Sequence, residues 1–352
     1  MKFKIIPHQL QFKFEAGTSR GVITEKPSWF VVLYDALNPE KFGIGEVSII
    51  PGLSIDNPIE IEKAIEKYAN ALVLKPDFDT INSISNEWPA VKFGLETALL
   101  DYLQKQNCQL FANDFSNGNV GIPINGLVWM GTKEQMKAQL FEKINAGYDC
   151  VKIKIGAIGF EHEFDLLKFI RTEFGNDITI RVDANGGFDE SNVVSVLEQL
   201  ASLQIHSIEQ PVKAGQTELM ASLCTQNIIP IALDEDLIPI RTLEEKQQLL
   251  QTIKPQYIIL KPSLLGGLNT SKEWIQLAEN QQIDWWITSA LEANVGLNAI
   301  AQFTSTFDIN MPQGLGTGQL YHNNIPSPLT IDKGYLWYLP NESNWNFELL
   351  DL

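Results

Sequence analysis

Six charged residues recur through the middle of the chain, each at the end of an apolar run. They are Lys152 and Lys154 in VKIKIG, Asp183 in ITIRVDANGG, Glu209 in IHSIEQP, Asp234 in IPIALDED and Lys261 in YIILKPSLLGG. From Lys154 onward the steps are 29, 26, 25 and 27 residues. Three carboxylates converging in one pocket would repel and raise one another's pKa unless a cation sits among them. An all-oxygen donor set with room for water and substrate suits Mg²⁺, with Mn²⁺ an acceptable substitute, and the absence of an accompanying histidine counts against zinc. Three unrelated surface acids are the bland alternative, but three in step with a repeat argue against it. Removing any one of the acids is expected to leave the fold intact.

Lys152 and Lys154 stand two apart on a strand and therefore share a face. A lone KxK is weak evidence, since edge strands carry lysines against aggregation. Inside a barrel, an inward lysine pair is costly without a task. Two close ammonium groups and partial burial favour a neutral lysine, the form able to act as a base. Lys261, four strands further round, is placed to face Lys154 across whatever the metal holds. The chemistry implied is removal of a proton next to a carboxylate, where a divalent cation and a lysine ammonium stabilise the enediolate charge.

The interval of about 27 residues in these steps is that of one strand, one helix and two loops. Such alternation makes parallel strands, and eight can close into a barrel whose active site lies at their carboxyl ends. Strands are predicted at 122–129, 150–155, 178–183, 205–209, 229–233, 256–260 and 284–289, with FDINMPQGLG (307–316) as an eighth and no eighth helix. A first helix runs over 132–145 and stops at Gly147. Before the barrel, residues 1–118 form an α+β capping domain. It has strands at 1–15, 28–35 and 42–49, a loop AGTSRGVITEK (16–26), and helices near 57–72 and 88–106. FSNGNVG (115–121) is the linker. The barrel domain is 119–320, and the tail 321–352, with LTIDKGYLWYL at 329–339, packs back on the cap.

The 352 residues suffice for a barrel of about 250 residues and a smaller domain, and 44% hydrophobic residues predict a substantial core. A formal charge of −17 leaves no basic surplus for nucleic acid or anionic membrane. Three cysteines, Cys108, Cys150 and Cys224, lack metal-ligand spacing, and an odd number argues against a disulfide framework. The amino terminus alternates apolar and polar residues instead of forming a signal-peptide core, and no run is long enough to span a membrane. A cytoplasmic enzyme acting on a small carboxylate is expected, with the oligomeric state left open. The four histidines are scattered, none at a strand's carboxyl end. SLLGGLN (263–269) lacks phosphate-loop spacing.

In KxK, VDAN, EQP, DED and KP, taken in this order, the chain resembles the enolase superfamily, closest to its muconate-lactonising subgroup. The resemblance covers nearly the whole length and implies a modified TIM barrel, (β/α)₇β, with an N-terminal α+β capping domain completed by the C-terminal tail. It implies that Lys154, the second lysine of KxK, is the base, that Asp183, Glu209 and Asp234 hold Mg²⁺, and that Lys261 opposes Lys154. GIGEVSIIPGLS (43–54), RVDANGGF (181–188), TSALEANVG (288–296) and QGLGTGQL (313–320) narrow the resemblance within the subgroup. They imply dehydration of 2-succinyl-6-hydroxy-2,4-cyclohexadiene-1-carboxylate to 2-succinylbenzoate, a step of menaquinone synthesis. The family's cap loops close over substrate, so Ser19 and Arg20 become candidate contacts to a carboxylate, though an exposed arginine is often merely solvated. Ser289, at the end of strand seven, either meets the succinyl group or satisfies local backbone. Epimerisation of dipeptides or racemisation of N-acylamino acids is the alternative, using both lysines. Dipeptide epimerases usually carry an acidic element at strand eight, which GLGTG (314–318) lacks. A non-catalytic binding barrel is the third reading, and full occupancy of the catalytic positions argues against it.

Overall fold

The structure, a computed structural model, describes residues 1–18, 21–39, 41–104, 108–156 and 159–351. Two long strands open it, β1 (Lys2–Thr18) and β2 (Gly21–Tyr34), paired antiparallel from Lys2↔Tyr34 to Thr18↔Gly21 with a register break between Gln11 and Ala16. The segment 16–26, expected as a loop, is strand on both arms. Val22, Ile23 and Thr24 are β-branched, and such residues fit a pleated ladder better than a turn. β3 (Phe42–Ser48) completes the sheet on the other side of β2. Helices α1 (Ile61–Leu74), α2 (Phe78–Asn82) and α3 (Pro89–Gln104) follow. Gly43 and Gly45 let β3 lie directly on α3, because a Cβ at either would strike the α3 backbone at Ala98 and Tyr102 or at Gly94.

Helix α3 is buried around most of its circumference, polar residues included. Asp101 accepts hydrogen bonds from Ile44 N (2.9 Å) and Cys108 N, and Glu96 from Leu268 N and Asn269 N. Burial pushes the Glu96 carboxyl up to about 7, with the two amides and Lys92 pulling the other way. A carboxyl whose folded pKa is raised stabilises the fold most when protonated. Stability is therefore lost as pH climbs from 4.5 through about 7. The shift corresponds to about 3 kcal/mol. Glu96→Gln should remove that share of the slope in unfolding curves recorded between pH 4.5 and 8. Parallel profiles for the two proteins would refute the assignment.

The barrel begins after β4 (Ile122–Pro123) with β5 (Gly126–Val128), α4 (Lys133–Asn145) and β6 (Cys150–Lys154). Then come α5 (Phe160–Phe174), β7 (Thr179–Asp183), α6 (Val193–Ser202), β8 (Ser207–Glu209), α7 (Thr217–Gln226) and β9 (Ile231–Leu233). α8 (Leu243–Ile253), β10 (Tyr257–Leu260), α9 (Pro262–Leu265), α10 (Leu268–Glu279), β11 (Asp284–Ile287) and α11 (Asn294–Thr304) complete the repeat. The strands form one parallel sheet in the order β11-β10-β9-β8-β7-β6-β5. Thr132 starts α4 with a capping box to Gln135, and Thr242 does the same for α8 with Glu245.

The expected first strand, 122–129, is split. Its opening pairs antiparallel with a C-terminal hairpin, and only Gly126–Val128 joins the parallel sheet. Where an eighth strand was expected, Gln313 and Gly314 alone close the barrel, bridging to Ile124 and Thr288 respectively. Gln313 N donates to Pro123 O (2.8 Å) and Gln313 O accepts from Asn125 N (2.9 Å), while its side-chain carbonyl accepts from Ile287 N (2.8 Å). Proline at 312 removes one ladder donor, so a long strand cannot form there. A side chain thus supplies part of the seam. Among the described residues only a short 3-10 turn, Gly316–Gln319, follows this segment within the barrel, so the fold is a (β/α)₇β barrel capped by an α+β unit.

The tail divides. Tyr321 pairs with Phe12, and His322 N donates to Gln11 O (2.9 Å), placing 320–325 on the first sheet. The hairpin β12 (Leu329–Asp332) and β13 (Tyr335–Tyr338) pairs instead with β4 at the foot of the barrel. Its turn, Lys333-Gly334, has positive φ at both residues, as a two-residue hairpin requires. Cys108, Cys150 and Cys224 are free thiols and buried. Among the described residues no helix is long and apolar enough to cross a membrane.

Candidate active site

Parallel register brings the charged residues into line. Lys154 pairs with Asp183 and Asp183 with Glu209, so three strands present three charges side by side. Glu209 pairs with Ala232, and Asp234 lies two residues on, on the same face. Lys261 follows the last residue of β10. All six charged side chains are largely buried.

The lysines reach the acids directly. Lys152 Nζ forms an ion pair with Asp183 Oδ2 (3.0 Å) and makes a close hydrogen bond to Glu209 Oε2. Lys154 Nζ donates to Asp183 Oδ2 (2.9 Å) and Asn185 Oδ1 (2.7 Å). Lys261 Nζ contacts Asp234 Oδ2 closely and lies 3.8 Å from Glu209 Oε1. Lys154 and Lys261 therefore stand at opposite ends of the row of acids.

Burial alone would push Lys152 down, but Asp183, Glu209 and Asp234 outweigh it and hold its pKa above the ordinary lysine value. Lys261 behaves alike, with burial opposed by Asp234 and Glu209. At Lys152 the push that two adjacent ammonium groups give toward a neutral lysine is therefore outweighed. Three carboxylates within reach count for more than one like charge. Asp183 is drawn below its usual range, burial being overcome by Lys152, Lys154 and Lys261. Asp234 is pushed up, by burial first and then by Glu235 and Glu209, against the pull of Lys261.

Among the described residues no three acidic, histidine or cysteine side chains close on a single point, because ammonium groups bridge the carboxylates. The donor set nonetheless suits a hard divalent cation. Asp183 and Glu209 are near enough to share one ammonium, and Glu209 and Asp234 another. Glu209 Oε1 is buried without a hydrogen bond. All three ligands offer oxygen.

Several residues of this site escaped sequence reasoning. Asn185, with left-handed backbone at φ 44°, links Lys154 to Glu235 through its side-chain amide. Gln210 (φ 42°) accepts from Asp234 N and Asp236 N and donates to Asp236 Oδ2 and Val212 O. Their signal was present in VDAN and EQP, where each polar amide directly follows or nearly follows a carboxylate at a strand end. Below the acids, Arg181 lays its guanidinium over Trp286 (4.0 Å) and donates to Pro312 O (2.8 Å), tying β7 to the seam. His206 stacks on Tyr257 at 5.2 Å, away from the acids, and burial lowers its pKa to about 4.

Ser289 lies at the strand-seven end, but its hydroxyl is committed. It donates to Glu292 Oε2 (2.6 Å) and accepts from Thr317 Oγ1 (2.7 Å) and Leu291 N (3.1 Å). Of its two expected roles, the local one is what these bonds describe. Ser263 Oγ and Ala290 N also donate to Glu292. Beside this group, Glu46 of β3 accepts from Ala293 N and Gly296 N, each at 2.9 Å, at the start of α11, and from Ser28 Oγ (2.8 Å). Ser19 and Arg20 lie outside the described residues. Their neighbour Gly17 forms a bridge with Met130, beyond the carboxyl end of β5.

Residues 135–342 fit the family model described as enolase C-terminal domain-like. An o-succinylbenzoate synthase of Desulfotalea psychrophila is 45% identical over 93% of this chain and 96% of its own length. The crystal structure of MenC from that organism superposes with a TM-score of 0.81 at 41% identity, covering 96% of this chain and 99% of the other. A hydrophobic dipeptide epimerase of Enterococcus faecalis is 29% identical over 71% of this chain and 66% of its own. The chain belongs to the enolase C-terminal domain-like family and is a member of the enolase superfamily.

Proposed function

We propose that this chain is a lyase that dehydrates 2-succinyl-6-hydroxy-2,4-cyclohexadiene-1-carboxylate to 2-succinylbenzoate, the product named in its 45%-identical relative. The observation that carries the reading is the row of three acids with Lys154 at one end and Lys261 at the other. In this reading Asp183, Glu209 and Asp234 hold a divalent cation of the Mg²⁺ kind. When bound, that cation supplies positive charge against the substrate carboxylate and so lowers the cost of the charge left by the departing proton.

Lys154 Nζ takes the proton from the ring carbon bearing the carboxylate, and Asp183 and Asn185 orient that nitrogen through their hydrogen bonds. The electron pair forms the new ring double bond as the adjacent carbon–oxygen bond breaks. Hydroxide leaves and takes the proton back from Lys154, so water is the second product and the lysine is restored. Lys261, kept cationic by Asp234 and Glu209, stabilises the negative charge from the opposite side. Lys152 positions Asp183 and Glu209. Ser19 and Arg20, two and three residues beyond Gly17, are the proposed contacts to substrate carboxylate. Residues 1–118 form the cap in this reading, 119–320 the catalytic barrel and 321–352 the returning tail.

Epimerases and racemases are relatives at 25–29% identity, so activity must separate the readings. Purified protein with Mg²⁺ should turn over the cyclohexadiene acid with kcat/KM on the order of 10⁴ M⁻¹ s⁻¹ or more. A dipeptide or N-acylamino acid used far more efficiently than that acid would reject the dehydratase.

A further inference from the structure

Away from the acids, a cavity of about 220 Å³ lies where α3 meets α8 and α10, lined by Lys92, Arg241, Lys246 and Glu273, with Ser85 and Asn86 on the cap side. Lys92 is only 8% exposed, yet among the described residues its ammonium makes no hydrogen bond or ion pair. Lysines are almost never buried this far unless paired. Lys246 is 1% exposed and has one acidic partner, Glu273, at 2.7 Å, with Trp274 beneath it at 5.6 Å. The other nearby acids are committed elsewhere. Glu96 caps α10 through the amides of Leu268 and Asn269, and Asp56 binds the amides of Ala90 and Val91. Arg241 spends one guanidinium nitrogen on Ile238 O and Ile240 O, leaving the others for the cavity. Among the described residues, Glu273 is thus the one carboxylate within ion-pair distance of these three cations, while Glu96, Asp56 and Glu245 act on Lys92 and Arg241 from further away.

We propose that this cavity is a binding site for a small oxyanion carrying at least two negative charges, a phosphoryl or dicarboxylate group, distinct from the active site. Lys92 and Lys246 supply point charges and Arg241 a planar fork, the donor set such anions take. Ser85 and Asn86 add neutral donors. The volume admits a group of that size. Because the lining comes from both cap and barrel, an anion bound there ties the two together. Leu265 and Gly266 also line the cavity, four and five residues after Lys261, so occupancy adjoins the loop that carries that lysine.

The test uses the full chain with Mg²⁺, titrated with inorganic phosphate or with succinate at ionic strength matched by chloride. Saturable stabilisation is expected, a rise of about 3 °C in Tm at saturation, and the arm that produces it identifies the anion. Lys92→Met should abolish that rise and leave kcat/KM unchanged. It should also raise the Tm of the unliganded protein, since it removes a buried charge without a hydrogen-bond partner. Arg241→Gln, at the cavity edge, should weaken the response at least tenfold and serves if Lys92→Met fails to fold. No saturable rise with either anion, or a rise that survives in the variants, would overturn the proposal.

Discussion

Lys154→Ala should lower turnover of the cyclohexadiene acid by about 10³–10⁴-fold, the share that a well-placed general base contributes. The fold should survive, because Asp183 keeps Lys152 at 3.0 Å when Lys154 is lost. Exchange of the α-proton with solvent deuterium should cease together with turnover. Loss of Lys152 should act differently, weakening catalysis through the positions of Asp183 and Glu209 without removing the base. Lys261→Arg separates the chemistries further. Guanidinium keeps the positive charge but does not readily release a proton at neutral pH. A dehydratase retains measurable activity with that change, whereas a two-lysine epimerase loses nearly all of it. A Lys154→Ala protein with turnover within tenfold of the wild type would remove this lysine from the chemistry.

Asp234→Ala, Glu209→Ala and Asp183→Ala should each abolish turnover, as should excess EDTA, and each should also destabilise the fold. The second effect departs from what the sequence suggested, that removing one of three like charges is harmless. Each acid is paired with a buried ammonium, so its removal takes a carboxylate partner from a buried cation. Breaking a buried pair in this way costs about 3–5 kcal/mol. Asp234→Ala is the sharpest case, since Lys261 keeps only Glu209, at 3.8 Å. Denaturant unfolding of metal-free protein measures the loss, and a change below about 1 kcal/mol would show that the ammonium is not held as described. Full turnover in EDTA would rule out the divalent cation.

The spacing of strand-end charges made the barrel legible because parallel strands repeat at nearly constant length. All six strands expected between 150 and 289 have ends within two residues of the observed ones. What stayed hidden depends on contacts between distant segments. Nothing local announces that Gln313 substitutes a side chain for a strand, or that Glu46 meets the amide of Ala293. Hairpin pairing through Val22 and Ile23 was obscured by the turn-forming residues of AGTSRG beside them. The surroundings of Lys152 are not legible in KIK, because the nearest opposite charges in space are carboxylates 31 and 57 residues away. Ser289 was correctly set at a strand end, but its commitment to Glu292 is a matter of rotamer and loop, which spacing does not carry.

Glu46 bears on how freely this architecture can be rearranged. Its carboxylate belongs to the cap sheet, yet it closes the first turn of a barrel helix and shares a buried pocket with Ser28 and Lys26. A barrel excised from its cap would open with bare amides at the start of α11, and the cap alone would carry a carboxylate with no helix to receive it. The two units are thus not interchangeable parts. A cap grafted from a relative would have to bring an acid at this one position of β3, and recombination between members of the superfamily is constrained there before any substrate contact is considered.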